Sequence, residues 1–269
     1  MKLIAIDIGN SHSKIMIDNK LFVLDYDSNF DDALYKILEN NNDNNNNSIE
    51  NSIEKIIISS VNDFQMKKMN LIFDKLQIKY ETVDNYLLVQ NIIDFSEIYG
   101  MGNDRKLGLI GATNSTVAPF ITVDCGTAIT INVVDKNLKC LGGVIFPGLN
   151  TQAKSLKTFT SQLPQIDIDE KKIISDSSFF ATGKNTFDAI SAGILSSTAG
   201  GIMNFVNSTI EENSLKNVSL LFTGGNGELL RDICFNCFSK EKSFISPINF
   251  IPNLVLDGII KIGTNSMRK

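Results

Sequence analysis

With 269 residues and 43% hydrophobic content, the chain is long enough to bury one large domain or two modest ones. A net charge of −5 gives no support to a nucleic-acid partner. Asp7 interrupts the first apolar run, so neither a signal peptide nor a membrane span is read there, and the expectation is a cytoplasmic protein without a membrane partner.

Taken in order, residues 3–8 and 13–18 read as two strands joined by a turn at Gly9-Asn10-Ser11. Leu21 to Leu24 is a third strand. A helix starts near Asn29-Phe30-Asp31-Asp32, with Ala33, Ile37 and Leu38 as its apolar stripe. The Asn-, Asp- and Ser-rich tract 40–52 lacks the side chains to build a core and reads as a mobile loop without function. Lys55 to Ser59 returns as a buried strand. Asp63 to Leu76 has helical spacing at Phe64, Met69, Ile72 and Phe73, and Tyr80 to Val83 is a short strand. This alternation of strand and helix argues for an α/β layer structure.

Asn103 to Ala112 reads as a helix, with Gly108 and Gly111 allowing close packing. Ile121 to Asp135 is a second hairpin of the same design as the first: a β-branched run meets Asp124, turns at Gly126 and resumes. Leu138 to Phe146 is a strand, ended by Pro147-Gly148. A helix follows with Leu149, Ala153 and Leu156 on one face, and 161–182 is an irregular connector. Thr186 to Phe205 reads as a helix with Phe187, Ile190 and Ile194 on one stripe. Its small residues Ser191, Ala192 and Gly193 permit close approach of a partner. Val218 to Phe222 is a strand, and Pro252 sits in the first turn of a final helix running to about Ile262.

Four cysteines occur, at 125, 140, 234 and 237. Cys234-x-x-Cys237 lacks the second pair or the histidines that a zinc site wants, His12 being the only histidine, and reads as packed thiols.

Four stretches carry polar groups suited to phosphate chemistry. In Asp7-Ile8-Gly9-Asn10-Ser11-His12-Ser13-Lys14, turn N–H groups, hydroxyls and an ammonium can hold phosphate oxygens, and Asp7 can hold Mg²⁺. Taken alone it reads better as an ordinary Asx-type hairpin turn. Gly102-Asn103-Asp104-Arg105 sets an acid beside a base at a helix start, able to activate a hydroxyl and bind an anion, or merely to cap the helix. In Asp124-Cys125-Gly126-Thr127, the carboxylate can hold a cation and Thr127 can contact phosphate. Thr223-Gly224-Gly225-Asn226 places glycines between a strand and a helix, where a nucleotide can touch backbone. The order, two acidic hairpin turns and then a strand–Gly-Gly–helix turn, is the layout of the actin, sugar kinase and Hsp70 architecture. In that architecture duplicated, ribonuclease H-like α/β halves clasp ATP between them.

The full set resembles the type III pantothenate kinases. The pieces are Asp7-Ile-Gly-Asn-Ser11, Gly102-Asn-Asp-Arg105, Asp124-Cys-Gly-Thr-Ala128, Gly142-Gly-Val-Ile-Phe-Pro-Gly148, Gly183-Lys-Asn-Thr186, Thr223-Gly-Gly225 and Pro252-Asn-Leu-Val-Leu256. All seven, in this order, span nearly the whole chain. The resemblance implies ATP-dependent phosphorylation of pantothenate to 4'-phosphopantothenate, the start of coenzyme A synthesis, by a cytoplasmic homodimer. It implies an N-terminal ATPase-like domain over 1–112 and a C-terminal one over 113–269. Asp7 to Lys14 would bind ATP phosphates, with Asp7 at the Mg²⁺, and Thr127 would contact ATP. Asp104 would be the general base, and Gly102 to Arg105 would hold pantothenate together with Phe95. Thr186 would contact pantothenate across the dimer. Asp124 would ligate K⁺ or NH₄⁺. Phe95 stands where the family commonly has Tyr, Asn103 where it often has Ala or Val, and 40–52 resembles an insertion. Another kinase of the same architecture, a regulatory relative or an actin-like filament protein are the competing readings.

Overall fold

The computed structural model describes residues 2–27, 29–41, 53–168, 182–238 and 245–267. The chain divides into two compact units. Unit 1 comprises Met1–Ile93, Tyr99–Ser115 and Leu254–Lys269; unit 2 comprises Asp94–Ile98 and Thr116–Asn253.

Unit 1 is built on β1 (Lys2–Ile8), β2 (His12–Ile17), β3 (Lys20–Asp25), β4 (Ile53–Ser60) and β5 (Glu81–Thr82), in the sheet order β3-β2-β1-β4-β5. β1 to β3 form an antiparallel meander, while β4 and β5 add in parallel on the other side of β1. Alternation drives the layering: Ile4, Ile6, Ile8, Ile15, Ile17, Ile56 and Ile58 share one core. Onto it pack Phe30, Leu34 and Leu38 of α1 (Phe30–Asn41), and Met69 and Phe73 of α2 (Asp63–Leu76). Each such buried side chain contributes about 1.5–3 kcal/mol. Three further helices complete the unit: α3 (Asp84–Val89), α4 (Asn103–Ala112) and α8 (Leu254–Met267). α4 and α8 pack on each other and on β4, with α8 also against β1. Their backbones nearly touch: a methyl built on Gly111 would lie 2.0 Å from the Leu254 carbonyl oxygen, and one on Gly258 2.1 Å from that of Leu107. Only glycine fits at either position.

Unit 2 repeats the plan. β6 (Phe120–Cys125), β7 (Ala128–Val134), β8 (Cys140–Pro147), β9 (Val218–Thr223) and β10 (Ile245–Phe250) lie in the order β10-β9-β6-β7-β8. The first three form an antiparallel meander, and the last two add in parallel beside the first strand. The two sheets therefore have the same connectivity, which is the duplication expected from the two hairpins. The inner face of the second sheet meets α5 (Leu149–Phe159), α6 (Thr186–Glu212) and α7 (Gly227–Phe238) in one core. α6 is the one described helix long and apolar enough to cross a membrane by length and composition. Its buried face (Ile190, Ile194, Ile202, Val206, Ile210) belongs to this core.

Several details differ from the sequence reading. α6 runs seven residues past Phe205, to Glu212. Phe187 is 57% exposed and leaves the stripe to Ile190 and Ile194. Phe64 is likewise exposed on α2. Pro252 lies in the turn before α8, two residues ahead of its start. The final helix falls with unit 1 in sequence-distant company, whereas a boundary at 112/113 would group it with the second half. Residues 42–52 of the Asn-rich tract and 169–181 of the connector lie outside the described residues.

Candidate active site

The first turn closes where β1 meets β2. Asp7 pairs with Lys14 and Ile8 with Ser13 across the hairpin, and Gly9 N–H donates to the His12 carbonyl at 3.1 Å. Asn10 and Ser11 are exposed at the tip, Asp7, His12 and Lys14 are half-buried, and Ile8 lies in the core. Any contribution of Ile8 to a ligand is therefore through its backbone. Ser13 is fully buried, and its hydroxyl meets the Tyr26 phenol at 3.0 Å behind the turn. Sequence reasoning counted Ser13 among the outward donors, because strand alternation alone does not show which face the turn presents.

Asp7 also pairs with Ser59 of β4. Ser59 is fully buried and its Oγ has no hydrogen-bond partner among the described residues. A buried hydroxyl without a partner is a polar group that a bound ligand could satisfy. One carboxylate with phosphate oxygens is the usual donor set for Mg²⁺. Asp7 and its surroundings fit that ion.

His12 is perturbed downward. Burial is the main cause, the Lys14 charge adds to it, and Asp25 opposes it. The folded state therefore binds this proton less readily than the unfolded chain. The contribution to stability is whole above the unfolded pKa of about 6.5 and is lost as pH falls through the folded value. His12 is the only histidine, so one imidazole proton resonance reports it. That resonance is expected to titrate with a midpoint below 6.5 in the free protein, and to move upward when phosphate charge arrives beside it. A midpoint above the ordinary histidine value in the free protein would contradict the assignment.

The second cluster of unit 1 opens α4. Gly102 is the N-cap, in extended conformation, and Lys106 N–H closes the first turn onto its carbonyl at 3.2 Å. The Asp104 carboxylate folds back over Gly102, so a methyl there would sit 2.6 Å from Oδ1. Oδ1 also accepts from Arg105 N–H at 2.8 Å. Asn103 Nδ2 donates to Asp84 Oδ1 at 2.9 Å, tying the start of α4 to the start of α3. Asp104 and Arg105 are half-buried on the first turn, where the helix dipole favours a carboxylate and an anionic ligand.

In unit 2 the acidic turn recurs. Asp124 occupies the same penultimate place in β6 that Asp7 holds in β1, and pairs with Thr130 on one side and Thr223 on the other. Gly126 N–H donates to the Ala128 carbonyl at 3.2 Å, and Thr127 is exposed at the tip. The Thr127 carbonyl receives Gly148 N–H at 2.9 Å and the Thr151 hydroxyl at 2.7 Å, so the start of α5 fixes this turn.

The Gly-Gly turn packs directly on the carboxylate. Gly224 has φ +85°, and a methyl on it would lie 2.5 Å from Asp124 Oδ1 and 2.8 Å from the Cys125 backbone. Asn226 N–H donates to the Cys125 carbonyl at 3.0 Å. A carboxylate oxygen beside this turn is the chemical type of a hard cation ligand. Gly224→Ala is expected to lower stability by about 2 kcal/mol or more through left-handed strain and overlap. Gly225→Ala, whose methyl meets nothing within 4 Å, is the control. Urea unfolding of the two variants gives the comparison, and equal midpoints would refute it.

Thr186 begins α6, capped by Asn185, whose Oδ1 accepts Asp188 N–H at 2.9 Å. It lines a cleft of about 800 Å³ between α5 and α6, with Gln152, Leu156, Ala189, Gly193 and Ser197. Phe95, in unit 2, is half-buried. Within unit 1 the structure thus carries the 7–14 turn and the 102–105 helix start; within unit 2 it carries Asp124, Thr127, Thr186 and Phe95. Sequence reasoning missed Tyr26 and Asn62, which hold the first turn from residues far away in the chain.

Two five-stranded sheets of one connectivity, each opening on an acidic hairpin turn, give the duplicated α/β fold of the actin, sugar kinase and Hsp70 type. Solved structures agree on the fold. A Campylobacter jejuni protein described as a Baf family transcriptional activator superposes with a TM-score of 0.62 at 22% identity, covering 99% of this chain and 100% of that one. A Listeria monocytogenes protein described as an N-acetylmannosamine kinase gives 0.52 at 11% identity, covering 99% and 100%. The family model for type III pantothenate kinase matches residues 3–208. A type III pantothenate kinase of Sulfurihydrogenibium sp. is 30% identical over 238 residues, 86% of this chain and 90% of that protein. The chain belongs to the type III pantothenate kinase family.

Proposed function

We propose that this protein transfers the γ-phosphoryl group of ATP to the primary hydroxyl of pantothenate, giving 4'-phosphopantothenate and ADP as the first step of coenzyme A biosynthesis. The observation that carries this reading is the Asp104–Arg105 pair on the first turn of α4, in a chain that belongs to this family. Phosphoryl transfer needs positioning and charge neutralisation more than covalent help. Asp104 accepts the hydroxyl proton as that oxygen attacks the γ-phosphorus, and the β–γ bridging oxygen leaves with ADP. Arg105 pairs with the pantothenate carboxylate, Gly102, Asn103 and Phe95 add substrate contacts, and Thr186 adds one across the dimer. The turn from Asp7 to Lys14 and the Thr127 hydroxyl hold ATP. Asp7 would hold Mg²⁺ and Asp124 would hold K⁺ or NH₄⁺; bound there, both cations neutralise phosphate charge.

The working form in this reading is a cytoplasmic homodimer that joins along α6. Support comes from that helix, where Gly193 and Gly201 are exposed with open space at each Cβ position. Light scattering of an active preparation is expected to give twice the chain mass, and a monomer would remove the dimer from the account. For the activity itself, ADP release in K⁺ buffer is expected to rise sharply when pantothenate is added. Release at one rate with and without it would favour an actin-like ATPase.

A further inference from the structure

We propose that Tyr26 is a positioning residue for the phosphate-binding turn, setting the direction of the Asn10 amide through a bond to the Gly9 carbonyl; this rests on the reading of that turn as the ATP phosphate site. The Tyr26 hydroxyl donates to the Gly9 carbonyl at 2.8 Å. A phenol has one proton, and a carbonyl only accepts. The 3.0 Å bond between Tyr26 and Ser13 therefore runs from the Ser13 hydroxyl to the phenol oxygen. Ser13, fully buried, thus feeds a two-step chain that ends on Gly9. Asn62 Nδ2 lies 3.5 Å from the same carbonyl, while its Oδ1 caps α2 by accepting Gln65 N–H.

The consequence follows from peptide geometry. The Gly9 carbonyl and the Asn10 N–H belong to one planar trans peptide and point in opposite directions. Holding the carbonyl inward, toward Tyr26 and Ser13, aims the Asn10 N–H outward at the exposed tip, where the phosphates are read to bind. The phenol is itself well anchored. Its ring stacks edge-on with Phe30 at 5.3 Å and packs against the unit 1 core. Burial raises the phenol pKa, the Ser13 bond opposes it and the Asp7 charge adds to it, with a net upward shift, so the donor proton stays in place at working pH. A fixed donor does not have to be reoriented when the nucleotide arrives, which strengthens binding.

Tyr26→Phe keeps the ring and removes the donor. ATP affinity by calorimetry is expected to fall about five- to tenfold, the worth of roughly one hydrogen bond. The KM for ATP rises in step, the KM for pantothenate stays constant, and kcat changes less than the KM for ATP. Tyr80→Phe serves as control: it removes a phenol bonded to Asn70 at the edge of the same core, and is expected to leave ATP affinity unchanged. In ¹H–¹⁵N spectra the Asn10 amide of Tyr26→Phe shifts before any nucleotide is added. If ATP moves the Asn10 and Ser11 amides of the wild type, and Tyr26→Phe binds ATP as tightly as wild type, the positioning role is overturned while the phosphate site stands. If ATP leaves those amides unmoved in the wild type, the phosphate-site reading fails and this proposal with it. Equal loss of affinity in Tyr26→Phe and Tyr80→Phe means general loosening of the unit and also overturns it.

Discussion

Asp104→Asn is expected to bind pantothenate nearly as well as the parent protein and to turn over about a hundredfold more slowly, or worse. The amide matches the carboxylate in size and still accepts a hydrogen bond, so the contact with Arg105 N–H survives. What disappears is the capacity to take the hydroxyl proton during phosphoryl transfer. Arg105→Ala should divide the effects the other way: pantothenate binding weakens because its carboxylate loses a charged partner, and ATP binding changes little in either variant. Adjacent residues on a helix project about 100° apart, so the pair reaches two ends of one substrate only from the first turn. That is where the structure has them, with Gly102 leaving room for the carboxylate. Calorimetric titration beside steady-state rates separates binding from chemistry. Loss of pantothenate binding in Asp104→Asn with retention in Arg105→Ala would exchange the two roles. Normal turnover in both would reduce the stretch to a helix cap.

Asp124→Ala is expected to lower the rate by about a hundredfold and to abolish the difference between K⁺ and Na⁺ buffers. In the parent protein K⁺ or NH₄⁺ should support activity that Na⁺ does not. The Asp124 carboxylate lies close against Gly224, where a methyl would sit 2.5 Å from its Oδ1. Rates that are equal in Na⁺ and K⁺, or an Asp124→Ala protein of full activity, would take the cation out of the mechanism.

Much of this arrangement is legible in the sequence because it rests on local chemistry. The hairpins at Asp7 and Asp124 are written as β-branched runs broken by Gly, and both form as expected. Their repetition implies a duplicated fold, and the shared strand order bears it out. The helix start at Asn103 is equally local.

What stayed hidden depends on distance along the chain. β10 escaped notice because Pro247 interrupts it. A proline is tolerated there since β10 is an edge strand, with its register shifted between Ile245 and Ile248. α3 is six residues long and has no side-chain cap to announce it. The return of α8 to unit 1 rests on two glycines, Gly111 and Gly258, placed far apart in sequence and in contact only in the fold. Tyr26 lies 17 residues from the carbonyl it holds and Asn62 lies 53, beyond any spacing rule. Phe187 and Phe64 read as core by periodicity but are exposed, because neighbours at adjacent helical positions take the buried face.

Phosphorus NMR of a reaction containing ATP, Mg²⁺, K⁺ and pantothenate follows the transferred phosphoryl group directly. The account predicts a phosphomonoester signal split by an adjacent CH₂, growing in step with ADP and absent when Asp104→Asn replaces the parent protein over the same interval. Inorganic phosphate as the sole new signal, or an ester formed equally well by Asp104→Asn, would contradict it.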